Sequence, residues 1–189
     1  MKKVFVCAGM RLAKSEKINE QARRLGKILA HHKDIMYVQG GSDLGMMGET
    51  LKAFIKDSEN YNRVGFFIPD EYYDWDAPGL IKLLGEENFK AIRVKGEVGR
   101  LQQIIKCDHI IVLPGGTGTL EELMFCNETR RSREHCSKIT VVNIDGFYDN
   151  FIKQVQTSVG QGLSKDAIHF EVVNSVDEIE FEHMEEYCY

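Results

Sequence analysis

The chain has 189 residues, 43% of them hydrophobic and 28% charged, and a formal net charge of −5 at pH 7. This size and composition predict one soluble globular domain, residues 1–189, with enough apolar side chains to build a core. The scattered basic residues of an acidic chain argue against binding of polymeric nucleic acid. Because no apolar run is long enough to cross a bilayer and the first residues lack a signal-peptide core, we expect a cytoplasmic protein without membrane contact.

Short apolar runs alternate with helical patterns along the chain. Strands are predicted at residues 3–7, 35–38, 63–68, 91–94, 108–113 and 138–143. This alternation predicts an α/β fold, a Rossmann-like doubly wound parallel sheet with helices on both faces. Residues 15–32 carry apolar side chains at helical spacing, and Ser15 is placed to cap that helix. The less regular residues 70–88 predict a short helix that lines or covers a site.

A glycine cluster follows the second predicted strand and precedes a helical pattern at residues 49–56. It reads Gly-Gly-Ser-Asp-Leu-Gly-Met-Met-Gly over residues 40–48. Gly41 and Gly45 are candidate binding residues, because glycine in a strand-to-helix turn lets the backbone approach a phosphate closely. Such turns open at the carboxyl ends of parallel strands, where ligands of open α/β sheets bind.

The most informative motif follows the fifth predicted strand, where residues 114–119 read Pro-Gly-Gly-Thr-Gly-Thr and a helical pattern then begins. The free N–H groups and the positive dipole end of that helix suit a phosphate. The candidate phosphate-binding residues are Gly115, Gly116, Thr117, Gly118 and Thr119. Together with the first cluster they predict one phosphate site made from two loops, for which a nucleoside 5'-monophosphate is a candidate ligand.

Two carboxylates, Glu121 and Glu122, lie immediately inside this helix. An acid in the first turn stabilises the helix dipole in many proteins, so the pair by itself does not establish chemistry. A phosphate site, however, has no need of negative charge, and a carboxylate beside the sugar of a bound nucleotide can stabilise an oxocarbenium-like transition state and activate water. Neighbours on a helix diverge by about 100°, so only one of the two can face the ligand. Glu122 is the candidate catalytic residue and Glu121 the reserve.

The cysteines give no sign of a metal centre. They form no C-x-x-C pair and no ligand spacing with the histidines, and they lie at Cys7, Cys107, Cys126, Cys136 and Cys188. We therefore predict no metal and no cofactor, and we interpret Cys7, Cys107 and Cys126 as buried small apolar residues.

The two glycine motifs resemble those of the Lonely guy family of cytokinin-activating phosphoribohydrolases, long labelled possible lysine decarboxylases. The family pattern Pro-Gly-Gly-x-Gly-Thr-x-x-Glu is matched at Pro114, Gly115, Gly116, Gly118, Thr119 and Glu122. The pattern Gly-Gly-x-x-x-Gly-x-Met-Gly is matched at Gly40, Gly41, Gly45, Met47 and Gly48. The resemblance covers roughly residues 2–150.

This resemblance implies hydrolysis of the N-glycosidic bond of adenosine 5'-monophosphate or its N6-substituted forms, giving free base and ribose 5-phosphate. It assigns the carboxylate role to Glu122 and implies an arginine on the preceding helix, for which Arg100 is the nearest match. It also implies a homodimer.

The chain departs from the family pattern in two places and so resembles a divergent member. Arg100 lies one position closer to Asp108 than the family arginine does, and it is followed by Leu101 instead of lysine. The loop after the first strand reads Cys-Ala-Gly-Met where the family carries Cys-Gly-Ser-Ser, so two serine hydroxyls are missing.

Other functions stay open at this point. A non-catalytic nucleotide or molybdenum-cofactor carrier of the same fold is favoured by the displaced arginine and the missing serines. A lysine decarboxylase needs a Schiff-base lysine for pyridoxal phosphate, and no lysine lies suitably beside the glycine motifs. A dinucleotide-dependent oxidoreductase is disfavoured because no G-x-G-x-x-G turn follows the first strand.

Overall fold

Seven parallel strands form one sheet. The computed structural model describes residues 1–58, 61–166 and 168–181. Its strands are β1 (Lys2–Cys7), β2 (Ile35–Gln39), β3 (Val64–Pro69), β4 (Ala91–Val94), β5 (His109–Val112), β6 (Lys138–Val142) and β7 (Glu171–Val173). The spatial order is β4-β3-β2-β1-β5-β6-β7, and each pair of neighbours is parallel.

Helices connect the strands, as parallel pairing requires. They are α1 (Glu16–His31), α2 (Gly45–Ser58), α3 (Tyr73–Leu84), α4 (Gly96–Ile104), α5 (Thr117–Arg131) and α6 (Asp149–Gly160). Short 3₁₀ turns lie at Tyr61–Arg63, Ile144–Gly146 and Val176–Glu178. The predicted Rossmann-like, doubly wound α/β fold is confirmed.

The sheet separates two hydrophobic cores because successive side chains of a strand point to opposite faces. In β1, Val4 and Val6 pack in the core that includes α1 and α2. Phe5 and Cys7 pack in the other core, which includes residues of α4 and α5. All four side chains are at most 1% exposed, so β1 is the central strand of the molecule.

The six predicted strands are confirmed to within two residues at each end. The edge strand β7 was not predicted, because its three residues are half-buried or exposed and carry too short a pattern. Ser15 occupies the predicted position before α1, but the prediction that its side chain caps the helix is wrong, because that side chain makes no capping hydrogen bond. Asn19 fixes this entry instead, accepting from the Ala13 N–H at 2.8 Å and donating to the Ala13 carbonyl at 3.0 Å.

The winding of the sheet reverses between β1 and β5. From β1 the chain proceeds to β2, β3 and β4 on one side, whereas β5, β6 and β7 follow on the other. The loops that leave the carboxyl ends of β1 and β5 therefore diverge and open a crevice, which is where open α/β sheets bind their ligands.

Candidate active site

A cavity of about 940 Å³ occupies this crevice. We call it the central cavity. The loops after β1, β2 and β5 contribute to its walls, together with the start of α3 and one turn each of α4 and α5. Side chains that line it and enter the argument below are Trp75, Asp76, Glu97, Arg100, Thr119, Glu122 and Phe147.

The loop of residues 114–119, here called the α5 loop, forms one end of the central cavity. The first bond of helix α5 runs from the Leu120 N–H to the Gly116 carbonyl at 3.1 Å. The N–H groups of Thr117, Gly118 and Thr119 precede that bond and therefore have no acceptor within the helix. They form a helix terminus suited to an anion, because the dipole of a helix of 15 residues adds to their positive charge.

The glycines of the α5 loop differ in the space available for a Cβ atom at each position. A Cβ atom at Gly116 or Gly118 would have no protein atom within 4 Å, so their missing side chains leave open space in the cavity wall. A Cβ at Gly115 would collide with the Thr119 side chain. Gly115 thus permits the loop to fold onto the helix, whereas Gly116 and Gly118 keep the backbone accessible to a ligand.

Glu122 lies on the floor of the central cavity, where it is only 7% exposed. The pKa of its carboxyl is raised to about 7, and burial is the largest cause. The charges of Glu97 and Glu121 raise this pKa further. Arg100 and a hydrogen bond from the Cys7 thiol lower it in part. A carboxyl that titrates near neutral pH is suited to exchange a proton with a reacting group.

Arg100 links Glu122 to a second carboxylate. Its Nη2 atom lies 3.3 Å from Glu122 Oε1 and 2.8 Å from Glu97 Oε2. Its Nε atom is buried and has no hydrogen-bond partner among the described residues, so one donor of the guanidinium is left for a ligand. The site therefore combines an anion receptor, a carboxylate of raised pKa and a fixed cation.

The structure brings most of the predicted site residues together. Those that line the central cavity are Arg100, Gly115, Gly116, Thr117, Gly118, Thr119 and Glu122. Glu121 is solvent-exposed, which follows from its position one residue before the buried Glu122 on the same helix.

Gly41 and Gly45 shape the site without facing the cavity. Both have left-handed backbones, with φ of +115° and +57°. A Cβ at Gly41 would lie 2.6 Å from the Ile68 side chain, and one at Gly45 would overlap the Met10 backbone. From the glycine cluster of residues 40–48 it is Gly40, Ser42, Met46 and Met47 that line the cavity.

The start of α3 lines the central cavity with Trp75 and Asp76, in the segment predicted to hold a short helix beside the site. Glu97 and Phe147, which also line the cavity, were missed by sequence reasoning. Glu97 precedes Arg100 by one helical turn, a spacing that is common on any helix surface. Asp76 and Trp75 lie in α3, whose first turns carried no motif; the acid-rich and aromatic composition of residues 70–76 was the only signal there. Burial raises the pKa of Asp76, as does Asp43, whereas Arg100 lowers it.

The chain matches the family described as "Possible lysine decarboxylase" over residues 31–181. The chain belongs to this family. Its membership agrees with the two glycine motifs, both of which lie within the matched residues.

Curated relatives give a more specific likeness. The chain is 30% identical over 165 residues to a probable cytokinin riboside 5'-monophosphate phosphoribohydrolase, LOGL9, of Oryza sativa subsp. japonica, covering 86% of this chain and 67% of that protein. It is 28% identical over 167 residues to cytokinin riboside 5'-monophosphate phosphoribohydrolase LOG7 of Arabidopsis thaliana, covering 86% and 70%. The resemblance to the Lonely guy family is thereby confirmed.

Solved structures with the same fold include carriers. The chain resembles the molybdenum cofactor carrier protein of Chlamydomonas reinhardtii with a TM-score of 0.59 and 16% identity over 93% of this chain and 91% of that one. It resembles the molybdenum cofactor binding protein of Rippkaea orientalis with a TM-score of 0.57 and 16% identity over 94% and 92%. At this level of identity the likeness concerns the fold.

The described residues contain neither a membrane-spanning helix nor a metal-binding cluster. In the ranges 1–58, 61–166 and 168–181, no helix combines the length and apolarity that crossing a bilayer demands. Within the same ranges, no group of three or more His, Cys, Asp or Glu side chains is arranged to hold a metal ion.

Proposed function

We propose that this protein hydrolyses the N-glycosidic bond of nucleoside 5'-monophosphates, with adenine or an N6-substituted adenine as the base. The products are the free base and ribose 5-phosphate. The observation that carries the proposal is the buried Glu122, whose carboxyl has a raised pKa and lies in the same cavity as the open helix terminus of α5.

The phosphate binds at the α5 loop, where the N–H groups of residues 117–119 and the helix dipole receive it. Gly116 and Gly118 add no Cβ that would hold the phosphate away from the backbone. Since Glu122 lies on the second turn of the same helix, a nucleotide anchored by its phosphate presents its ribose toward that carboxylate.

Glu122 acts on the sugar. As the bond between C1' and the base nitrogen breaks, its electron pair leaves with the base and positive charge develops on the ribose. Ionised Glu122 stabilises that charge and accepts a proton from the water that attacks C1'. The departing base gains one proton in exchange for the one that the water loses, so Glu122 returns to its ionised form and the reaction balances.

Arg100 fixes the reactive carboxylate and supplies charge. Its contacts with Glu97 and Glu122 hold the guanidinium between two acids, and its buried Nε–H is a donor for the nucleotide. Because Glu97 remains its partner, Arg100 keeps a counter-charge when Glu122 takes up a proton.

The direct experiment is chromatography of free base after incubation of the purified protein with AMP, N6-isopentenyl-AMP, GMP and CMP. Base release that disappears in Glu122→Gln and persists in Glu121→Gln supports the proposal, because the second variant changes an exposed neighbour on the same helix. Equal release by wild type and Glu122→Gln excludes the carboxylate mechanism.

A second candidate is a non-catalytic carrier of a nucleotide or of the molybdenum cofactor. It is favoured by the loop after β1, where Ala8, Gly9 and Met10 line the cavity without a side-chain hydroxyl. A carrier would bind a phosphorylated ligand and release no base from any nucleotide, so the same assay, combined with a binding measurement, separates the two functions.

A further inference from the structure

Tyr148 lies beneath the α5 loop and is only 1% exposed. Its hydroxyl donates a hydrogen bond to the Leu113 carbonyl at 2.7 Å. Leu113 immediately precedes the α5 loop. Tyr148 therefore holds the backbone next to Pro114, which has no N–H of its own to anchor the turn.

The position of Tyr148 is itself fixed. Its N–H donates to Asn143 Oδ1 at 2.7 Å, and Asn143 Nδ2 donates to Asp149 Oδ1 at 2.7 Å. The turn that leads to it contains two left-handed residues, Asp145 with φ of +52° and Gly146 with φ of +72°. These contacts fix the position of the hydroxyl relative to β5. The aromatic ring is packed in the core that includes residues of α4 and α5.

The contact matters because residues 114–116, the part of the α5 loop that precedes the helix, contain two consecutive glycines whose backbone is conformationally free. A Cβ at Gly116 would meet no protein atom within 4 Å, so no neighbouring group packs against the turn at that point. A loop of this kind samples several conformations unless something holds it, and only those that aim its N–H groups at one point bind an anion well.

We infer that Tyr148 is a positioning residue, whose hydroxyl holds the α5 loop in the conformation that binds the phosphate of the substrate. This inference rests on the proposed function only for the identity of the ligand. The anion itself need not be hydrolysed for Tyr148 to affect its affinity.

The test is the affinity for ribose 5-phosphate, measured by calorimetry for wild type, Tyr148→Phe and Tyr37→Phe. Tyr37 is a matched control, because it is a fully buried tyrosine in the other core whose hydroxyl has no hydrogen-bond partner among the described residues. We expect Tyr148→Phe to bind about tenfold more weakly, as for loss of one well-formed hydrogen bond, and Tyr37→Phe to bind like wild type.

Two further measurements distinguish a role of Tyr148 in positioning the α5 loop from a role in the stability of the whole fold. Hydrogen exchange in peptides spanning residues 113–119 should be faster in Tyr148→Phe than in wild type and unchanged in Tyr37→Phe. Where base release is measurable, Tyr148→Phe should raise KM with a smaller change in kcat, since the catalytic carboxylate is untouched.

A lower melting temperature of Tyr148→Phe with unchanged ribose 5-phosphate affinity and unchanged loop exchange would overturn the inference, as would absence of ribose 5-phosphate binding in wild type. Binding that weakens in Tyr148→Phe while no nucleotide is hydrolysed supports the inference and refutes only the proposed hydrolase activity.

Discussion

Arg100 on α4 and Glu122 on α5 meet in the central cavity, with Nη2 3.3 Å from Oε1. Arg100 stands one position away from the place that the family pattern assigns to its arginine. It nevertheless reaches the carboxylate, because α4 and α5 lie against each other. The displaced register therefore does not separate the two charged groups.

Glu122→Gln should have a higher free energy of unfolding than wild type at alkaline pH. Since burial raises the folded-state pKa of Glu122 from 4.5 to about 7, the unfolded chain loses this proton first and stability falls as pH rises across that window. The gain in free energy of unfolding of Glu122→Gln over wild type should grow by up to roughly 3 kcal/mol between pH 4.5 and 8. Urea titrations at several pH values measure it.

Glu121→Gln is the control for this prediction, because it removes the same charge from an exposed position on the same helix. The assignment of a buried carboxyl with a raised pKa would be contradicted if the gain in free energy of unfolding of Glu122→Gln did not depend on pH. It would also be contradicted if Glu121→Gln showed a gain of the same size.

Glu97→Gln should shift the acid limb of the profile of kcat/KM against pH to lower pH. Glu97 raises the pKa of Glu122 by its like charge, and it also shares Arg100. Its neutralisation therefore favours the ionised form of Glu122 on both counts. The profile of kcat/KM against pH measures the shift, which reports the ionisation of the free protein.

Arg100→Met provides the opposite change, since Arg100 lowers the pKa of Glu122. Its acid limb should move to higher pH, together with a loss of activity. Two variants that move the limb in the same direction would show that a different group controls it.

Gly118→Ala should weaken anion binding without destabilising the fold. Gly118 lies in the first turn of α5 with open space at its Cβ position, and alanine gains up to about 1 kcal/mol over glycine in a helix. The new methyl group should nevertheless raise the Kd for ribose 5-phosphate by about tenfold, or about 1.4 kcal/mol. Calorimetry and thermal unfolding give the two quantities.

Gly160→Ala is the matched control, because Gly160 is also a helical glycine with nothing within 4 Å of its Cβ position, at the end of α6. It should gain comparable stability and keep wild-type affinity. An unchanged Kd in Gly118→Ala would show that no ligand approaches this part of the α5 loop.

Trp75→Ala should impair binding of the base. The Trp75 side chain lines the central cavity, yet it is 85% exposed and contributes little to the core. Stacking of a base on an aromatic ring is worth about 1–3 kcal/mol, so KM for AMP should rise at least about fivefold while the melting temperature stays constant. Leu163→Ala, which truncates a side chain that is 81% exposed, is the control.

Should KM in Trp75→Ala equal that of wild type and Leu163→Ala, the base would have to lie elsewhere. The aromatic side chains to test are then Phe147 and Tyr72, which line the cavity and are 48% and 47% exposed.

The sequence by itself determined the parallel sheet and the glycine turn that precedes α5. Runs such as Ile110 to Val112 are apolar on both faces and separated by helical patterns, which only a sheet covered on both sides satisfies. The glycines of residues 115–118 similarly require a tight turn before a helix, because glycine permits close backbone approach there.

The tertiary structure alone decided how the charges act. Glu97, Arg100 and Glu122 come from two helices, and their mutual distances depend on how α4 and α5 pack beside β5. The pKa of Glu122 depends on its burial, which no local pattern encodes. Gly41 and Gly45 carried the same motif signal as Gly116 and Gly118, but packing turned their Cβ positions toward protein instead of the cavity. Local sequence sets backbone conformation, whereas burial and charge proximity arise only when distant segments pack together.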